Sequence, residues 1–303
     1  MNVEDENPLP PEPADPAPHS FLPAEPSPTE YRDALSTGTP SEVAEGVRLS
    51  VADDIRVPWG WSDLALLAVL AFGLTFLFLI VILLVLAPFG LRISQIQNSP
   101  NEWGLIVVCS QILTDVAILG YLAAQIRLRF RSPFWATAGW RAMQRRAYRR
   151  GTVLVLISIG IFLAALVMIA SNIAPPKQQL PIEKILEFPP TSVLFMITAV
   201  LVAPVVEETI FRGYLYPVAA RSLGVVFGII LTGTLFGLLH ALQLWGGWWQ
   251  IALLVVVGIV FTTARAITRS VIASWILHVA YNSTQVVAMA VSMIGPHRWP
   301  HLH

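Results

Sequence analysis

The sequence predicts an all-α fold, a polytopic bundle of transmembrane helices. Two observations support this prediction: the composition of the chain and the lengths of its apolar runs. Of the 303 residues, 55% are hydrophobic and only 13% are charged, whereas soluble domains carry about 25% charged residues. The apolar residues gather into long runs, and about 20 such residues span a bilayer as one helix. Because backbone groups in the hydrocarbon core must bond one another, and the runs lack strand-like alternation, each run is predicted to be helical.

Seven apolar runs follow one another after residue 57, and they predict about seven to eight spans within residues 58–296. The runs are residues 64–89, 105–126, 153–170, 192–206, 225–242, 251–266 and 271–294. The fourth run can continue as a helix as far as Tyr216. The last residues, 297–303, are predicted to be a short tail.

Residues 1–57 are predicted to be a disordered, acidic, Pro-rich cytosolic tail, because apolar residues there are too sparse to form a core. This segment holds 12 of the 19 Asp and Glu residues, whereas 16 of the 19 Lys and Arg residues follow it. The net charge is zero, and nothing in the pattern indicates nucleic-acid binding. The single cysteine, Cys109, lies in an apolar run and is interpreted as a packing residue.

The orientation in the membrane follows from the arginines. Residues 127–150 contain no acid and eight arginines: Arg127, Arg129, Arg131, Arg141, Arg145, Arg146, Arg149 and Arg150. By the positive-inside rule this loop is cytoplasmic. Counting spans from it places the N-terminus in the cytosol, together with Arg221, Arg265 and Arg269, and the C-terminus outside. The sequence thus predicts a multi-pass plasma-membrane protein with a cytosolic N-terminus.

Several polar side chains stand in the apolar runs of the last third of the chain. An ionisable group at a helix centre costs about 2.5–3.5 kcal/mol on insertion scales, and the residues concerned, with one amide, are Glu207, Glu208, Arg212, His240, His278 and Asn282. Glu208 and Arg212 are four residues apart and can form an ion pair on one helix face. Glu207 points about 100° away and has no local partner. Because buried polar groups need partners, Glu207, His240, His278 and Asn282 are predicted to converge on one cavity.

The same residues form three short motifs. Residues 207–212 read Glu-Glu-Thr-Ile-Phe-Arg, residues 236–240 read Phe-Gly-Leu-Leu-His, and residues 278–282 read His-Val-Ala-Tyr-Asn. In this order they resemble the double-glutamate, Phe-x-x-x-His and His-x-x-x-Asn motifs of the CPBP family of intramembrane proteases, which includes CAAX prenyl endopeptidases and bacteriocin-processing relatives. The resemblance places a protease-like core at about residues 191–294.

The resemblance implies an intramembrane endopeptidase of about eight helices, with a cavity open to the cytosol and a membrane-associated protein or peptide as substrate. Glu207 resembles the base that activates water, and His240 resembles its partner. His278 and Asn282 resemble the groups that stabilise the oxyanion. The supporting residues are Glu208, Arg212 and Phe236.

The chemistry of these side chains leaves other possibilities open. Peptide hydrolysis needs a base and donors for the oxyanion, but Glu207, His240 and His278 are also a set that could hold Zn²⁺ with one position left for water. The sequence is therefore compatible with both zinc-dependent and metal-free hydrolysis. Two further readings are a transporter or channel that uses the buried Glu and His groups as a relay, and a catalytically idle membrane scaffold.

Overall fold

The computed structural model describes residues 53–89, 100–143, 151–186 and 188–294. Within these ranges all regular secondary structure is helical, as the sequence predicts. The predicted tail up to residue 52, residues 144–150 of the arginine-rich loop and the predicted tail at 297–303 lie outside the described residues.

The helices follow the apolar runs closely. They are α1 (Trp61–Leu86), α2 (Pro100–Ala124), α3 (Phe134–Thr137), α4 (Thr152–Ser171), α5 (Pro181–Ile185), α6 (Pro189–Ile197), α7 (Ala203–Glu208), α8 (Tyr216–Leu223), α9 (Val225–Leu239), α10 (Trp248–Thr268) and α11 (Val271–Ile294). Five helices of the described chain are long and apolar enough to cross a membrane: Trp61–Leu86, Glu102–Arg129, Thr152–Ser171, Pro189–Leu223 and Trp248–Thr268. The protein is an integral membrane helical bundle.

The two remaining predicted spans correspond to α9 and α11, which carry the motif histidines. Helix α9 has 15 residues, about 22 Å at ~1.5 Å per residue, and is therefore shorter than the ~30 Å hydrocarbon core. It ends at Leu239, where the sequence predicted a span continuing to residue 242. His240 is the residue that caps it.

The run that carries both glutamates forms one 35-residue helix, Pro189–Leu223, built from α6, α7 and α8. Two wide turns with π-helical hydrogen bonding join its parts, Thr198–Val202 and Thr209–Leu215. Each wide turn lies just ahead of a proline, Pro204 or Pro217. Proline lacks an N–H and its ring clashes with the carbonyl four residues earlier, so the α-helical ladder cannot continue unchanged through these points.

Close packing of α9 on α10 and of α4 on α11 builds the core around this long helix. A Cβ added to Gly233 would lie 2.6 Å from the Ile259 nitrogen, and one added to Gly258 would lie 2.7 Å from the Gly233 carbonyl oxygen. Glycine at these positions lets the two helix backbones touch. The large side chains of this core include Phe211, Phe236, Phe261, Leu277 and Tyr281.

The segment before α1 packs against the bundle. Asp54 pairs with the buried Arg265, with 2.8 Å between its Oδ2 and Nη1, and Arg221 donates to the Val57 carbonyl over 2.7 Å. Ile55 and Val57, which the sequence placed in the tail, are buried. These contacts bring residues 53–57 and two of the predicted cytosolic arginines to one end of the bundle.

The loop around α3 lies at the same end, because the Gly139 carbonyl accepts a hydrogen bond from the Val271 nitrogen over 2.9 Å at the start of α11. At the other end, the Trp249 indole donates to the Ala170 carbonyl over 2.8 Å and ties α10 to α4. The described arginines of the predicted cytosolic loops therefore share one end of the molecule.

Candidate functional site

The first wide turn creates an acceptor that the site uses. The Ala203 nitrogen bonds to the Thr198 carbonyl, so the Ala199 carbonyl loses the partner that an α-helix would give it. The next residue, Pro204, has no N–H to offer. Asn282, on α11, fills this position by donating from Nδ2 to the Ala199 oxygen over 2.8 Å. The interruption in the long helix thus fixes one of the predicted site residues.

Glu208 joins two other motif residues. Its Oε1 accepts a hydrogen bond from Arg212 Nη1 over 3.0 Å and one from His278 Nδ1 over 2.9 Å. Glu208 and Arg212 are fully buried, and His278 is 2% exposed. The i,i+4 ion pair predicted from the sequence is confirmed. The contact with His278 extends this pair from the long helix to α11.

Arg212 is satisfied on its other sides as well. Nη2 donates to the Gly258 carbonyl over 2.9 Å, and Nε donates to the Thr262 hydroxyl over 3.2 Å, both on α10. The guanidinium carbon lies 4.5 Å from the ring centroid of Phe236 on α9, a cation–π distance. A buried charge is tolerated when its partners are this complete. Arg212 therefore fixes Glu208 relative to α9 and α10.

Glu207 faces the other nitrogen of the same histidine. Its Oε2 lies 3.7 Å from His278 Nε2, too far for a direct hydrogen bond. Its side chain is 19% exposed, whereas that of Glu208 is fully buried. His278 thus stands between two carboxylates, one neutralised by Arg212 and one open to a ligand. Because Glu208 accepts at Nδ1, that nitrogen is assigned the hydrogen, while the state of Nε2 is left open.

His240 reaches the group through Phe236. Its Nδ1 lies 3.0 Å from the Phe236 carbonyl oxygen, and because a carbonyl can only accept, Nδ1 is assigned the hydrogen. The ring centroid of Phe236 lies 5.2 Å from that of His240 and 5.8 Å from that of His278. Phe236 thus contacts one residue of each motif, Arg212, His240 and His278. In the structure Glu207 lies beside His278, whereas the family resemblance pairs Glu207 with His240.

The arrangement does not fit a zinc site. In the part of the chain that the structure describes, no group of three or more His, Cys, Asp or Glu side chains is placed to hold a metal ion. Of the three candidate ligands, Glu207 and His278 are neighbours, whereas the polar contact of His240 is that of its Nδ1 with the Phe236 carbonyl. Since zinc needs three convergent protein ligands, no step of the reaction is derived through a metal.

Sequence reasoning missed one acidic residue that belongs to this neighbourhood. Asp115, on α2, is 7% exposed and accepts a hydrogen bond from Gln111 Nε2 over 2.8 Å. Helix α2 packs against α7, the helix that carries Glu207. The signal that could have found it is the one used for the other residues, an ionisable side chain inside an apolar run, here residues 105–126.

Part of the chain matches a known protein family. Residues 189–284 match the model of the family described as type II CAAX prenyl endopeptidase Rce1-like. The matched segment begins with α6, ends within α11 and contains all three motifs. Over residues 189–284 the chain is therefore similar to CAAX-type intramembrane proteases, in agreement with the resemblance that the motifs predict. No curated protein and no solved structure matches the chain.

Proposed function

We propose that the protein hydrolyses a peptide bond in a membrane-associated protein or peptide, with a water molecule activated by Glu207. The observation that carries the proposal is the alignment of Glu207, His278 and Glu208, in which the two carboxylates face opposite nitrogens of one buried imidazole. Arg212 neutralises Glu208 and leaves Glu207 as the carboxylate available to take a proton. Proton abstraction from water by such a base is the first requirement of peptide hydrolysis.

In the proposed reaction, water donates one hydrogen bond to Glu207 and the other to His240 Nε2. This nitrogen can accept because Nδ1 of the same ring already donates to the Phe236 carbonyl. The water oxygen then attacks the substrate carbonyl carbon while its proton passes to Glu207. When the tetrahedral intermediate collapses, the C–N bond breaks and that proton leaves on the amine.

His278 is the proposed route for the proton and a donor to the oxyanion. Its Nε2 lies 3.7 Å from Glu207, so a small movement of either side chain lets it take the proton. The positive charge that then develops on the ring is stabilised by Glu208, in the way that a carboxylate supports the histidine of a serine protease triad. Asn282 donates one amide hydrogen to Ala199 and has a second hydrogen for the oxyanion.

The proposed orientation places the basic end of the bundle in the cytosol. Arg129, Arg131 and Arg141 are described residues of the loop between α2 and α4, and Arg265 and Arg269 end α10 at the same side. The positive-inside rule assigns this end to the cytoplasm. The substrate would then approach from the cytosolic face, where soluble protein segments meet the membrane.

The test is cleavage by purified protein in nanodiscs. Two probes are offered in parallel, a farnesylated peptide with a C-terminal CAAX sequence and the same peptide without the lipid. Glu207→Gln is expected to lose all measurable hydrolysis of whichever probe the wild type cleaves. Glu102→Gln, which changes an exposed carboxylate at the start of α2, is the matched control and should retain the wild-type rate. Wild-type activity in Glu207→Gln would show that Glu207 is not the base, whereas failure of the wild type to cleave either probe would favour the relay or scaffold hypotheses.

A further inference from the structure

A lateral groove lies between α4 and α10, two of the membrane-spanning helices. Its cavity volume is about 290 Å³, close to the lower bound of about 300 Å³ for pockets that bind small molecules. The buried Leu156 and Leu277 lie in its floor, whereas the rim residues Ile159 and Ile267 are exposed. The groove is therefore open sideways, toward the lipid that surrounds a membrane-spanning bundle.

The groove lies within one leaflet of the bilayer. At the other end of the bundle the Trp249 indole and the Ala170 carbonyl join α10 to α4. Toward the basic end the two helices leave the groove between them, and on α10 it runs from Ile259 to Thr268, the last residue of the helix. These nine residues cover about 13 Å at ~1.5 Å per residue, less than half of the ~30 Å hydrocarbon core. The leaflet concerned is the cytoplasmic one in the proposed orientation.

The lining of the groove suits a hydrocarbon chain. The Thr263 hydroxyl donates to the Ile259 carbonyl over 2.8 Å, and the Thr268 hydroxyl donates to the Ala264 carbonyl over 2.7 Å. Both hydroxyl hydrogens are thus used within α10, and the other lining residues are apolar. A ligand that fills the groove therefore gains contact area without needing hydrogen-bond partners of its own.

The end of the groove is positively charged. Arg269 follows Thr268 directly, and its side chain is 46% exposed. The nearby Asp54 is shared, because its Oδ2 lies 2.8 Å from Arg265 Nη1 and its Oδ1 lies 3.7 Å from Arg269 Nε. Two arginines and one aspartate leave one positive charge, and it is on the exposed Arg269.

Two neighbouring features add to this positive potential. Ser270 Oγ donates to the Arg141 carbonyl, so the exposed Arg141 belongs to the same corner of the molecule. Helix α4 begins here at Thr152, and no side chain among the described residues caps it. The N-terminal end of a helix carries a partial positive charge that favours anions.

We propose that the groove binds one acyl chain of an anionic phospholipid of the cytoplasmic leaflet, whose phosphate is held at Arg269. Basic pockets between membrane helices on the cytoplasmic side are typical sites for anionic headgroups. Leu277 immediately precedes His278, so a lipid chain on the groove floor supports α11 beside the catalytic site. Lipid binding does not depend on hydrolysis, and its test is therefore independent of the proposed function.

The test measures phospholipid binding to the purified full-length protein in detergent by native mass spectrometry. Dioleoyl phosphatidylglycerol and dioleoyl phosphatidylcholine have the same chains and differ in headgroup charge. We expect the wild type to bind phosphatidylglycerol about fivefold more tightly, because one arginine near the membrane surface contributes about this factor. Equal affinity for the two lipids would overturn the proposal.

Arg269→Gln tests the headgroup contact. Its affinity for phosphatidylglycerol should fall about fivefold, to that for phosphatidylcholine, while the melting temperature without lipid stays at the wild-type value. The matched control is Arg131→Gln, which removes an exposed arginine of the loop between α2 and α4 that does not line the groove. The control should keep the preference for phosphatidylglycerol. Equal losses in the two variants would indicate diffuse attraction to the basic end and would overturn the site.

Ala264→Leu tests the chain contact, because the larger side chain occupies the groove. Displacing about two methylene groups of the lipid should weaken both phospholipids about tenfold. The melting temperature without lipid is measured alongside, to show that the variant is folded. The matched control is Ala68→Leu at an exposed position of α1, which should bind both lipids as the wild type does. Unchanged lipid binding in a folded Ala264→Leu variant would overturn the proposal.

Two other occupants of the groove would give different results. If the groove is an interface between two copies of the chain, the wild type without lipid will be a dimer and Ala264→Leu a monomer. If it holds the lipid of a substrate, Ala264→Leu will weaken binding of a farnesylated CAAX peptide, and neither phospholipid will compete with that peptide. Either result would overturn the proposal.

Discussion

Glu208 Oε1 and His278 Nδ1 lie 2.9 Å apart although the residues are 70 positions apart in the sequence. The same oxygen accepts from Arg212, so one buried carboxylate atom links an arginine that anchors the helices to a histidine that faces Glu207. The two adjacent glutamates therefore have different roles. Glu208 positions its neighbours, and Glu207 is the proposed base.

The buried ion pair gives the first expectation. Arg212→Gln leaves Glu208 without its counter-charge in a fully buried position, and breaking such a pair costs about 3–5 kcal/mol. The variant should show a markedly lower melting temperature in detergent. Glu208→Gln/Arg212→Gln should recover part of the loss, because no charge is then left unpaired. The control is Arg269→Gln, whose side chain is 46% exposed. Its partner Asp54 keeps its ion pair with Arg265, so stability should change little. Additive losses in the Arg212 and Glu208 variants would contradict the pairing.

The local geometry of the Glu208–Arg212 ion pair could be predicted from the sequence. Residues four apart on a helix share a face, and this is sufficient to join Glu208 to Arg212. The positions of the long helices were also predictable, because the length and apolarity of a run are set by the thickness of the bilayer. The three motifs placed the polar residues on the right helices.

Other features depend on contacts that periodicity cannot show. The bond from Asn282 to Ala199 requires a carbonyl that is free only because the wide turn shifts the ladder ahead of Pro204. The early end of α9 was hidden because apolar residues continue to Leu242. Likewise, the choice of His278 over His240 as the neighbour of Glu207 follows from how α11 packs on the long helix, which no spacing within one helix determines.

A metal requirement can be tested directly. His278 has both ring nitrogens directed at carboxylates, and His240 is held by the Phe236 carbonyl. We therefore expect prolonged treatment with EDTA or phenanthroline, followed by desalting, to leave the rate within about twofold of that of untreated protein. Metal analysis of the same samples is the accompanying measurement. One equivalent of zinc that is lost in His278→Ala, together with inhibition by chelators, would show that the site rearranges to bind metal.

The orientation can be tested by cysteine labelling in a background in which Cys109, the only native cysteine, is replaced by alanine. Ala142 and Lys177 are exposed and lie on opposite sides of α4 in the chain. The positive-inside rule places Ala142 in the cytosol. An impermeant maleimide should therefore label Lys177→Cys in intact cells, and Ala142→Cys only after permeabilisation. The reverse pattern would invert the proposed topology.

The last expectation concerns which residues act together in hydrolysis. Glu207 and His278 are proposed to exchange one proton across the 3.7 Å gap between Oε2 and Nε2. Residues that act as a unit give losses that do not add. Glu207→Ala and His278→Ala should each abolish turnover, and the double variant should be hardly slower than either single variant. His240→Ala should also abolish turnover, because its Nε2 is the second acceptor proposed for the water.

Asn282 supplies the contrast in the same experiment. It contributes one proposed donor to the oxyanion, and removing a single donor typically costs about 10²- to 10³-fold in rate. Asn282→Ala should therefore keep measurable activity. Because the Ala199 carbonyl also loses its partner in this variant, its melting temperature is compared with that of the wild type to check that the protein is folded. If Glu207→Ala retained more activity than Asn282→Ala, Glu207 would not be the base, and the water would have to be activated from the His240 side of the site.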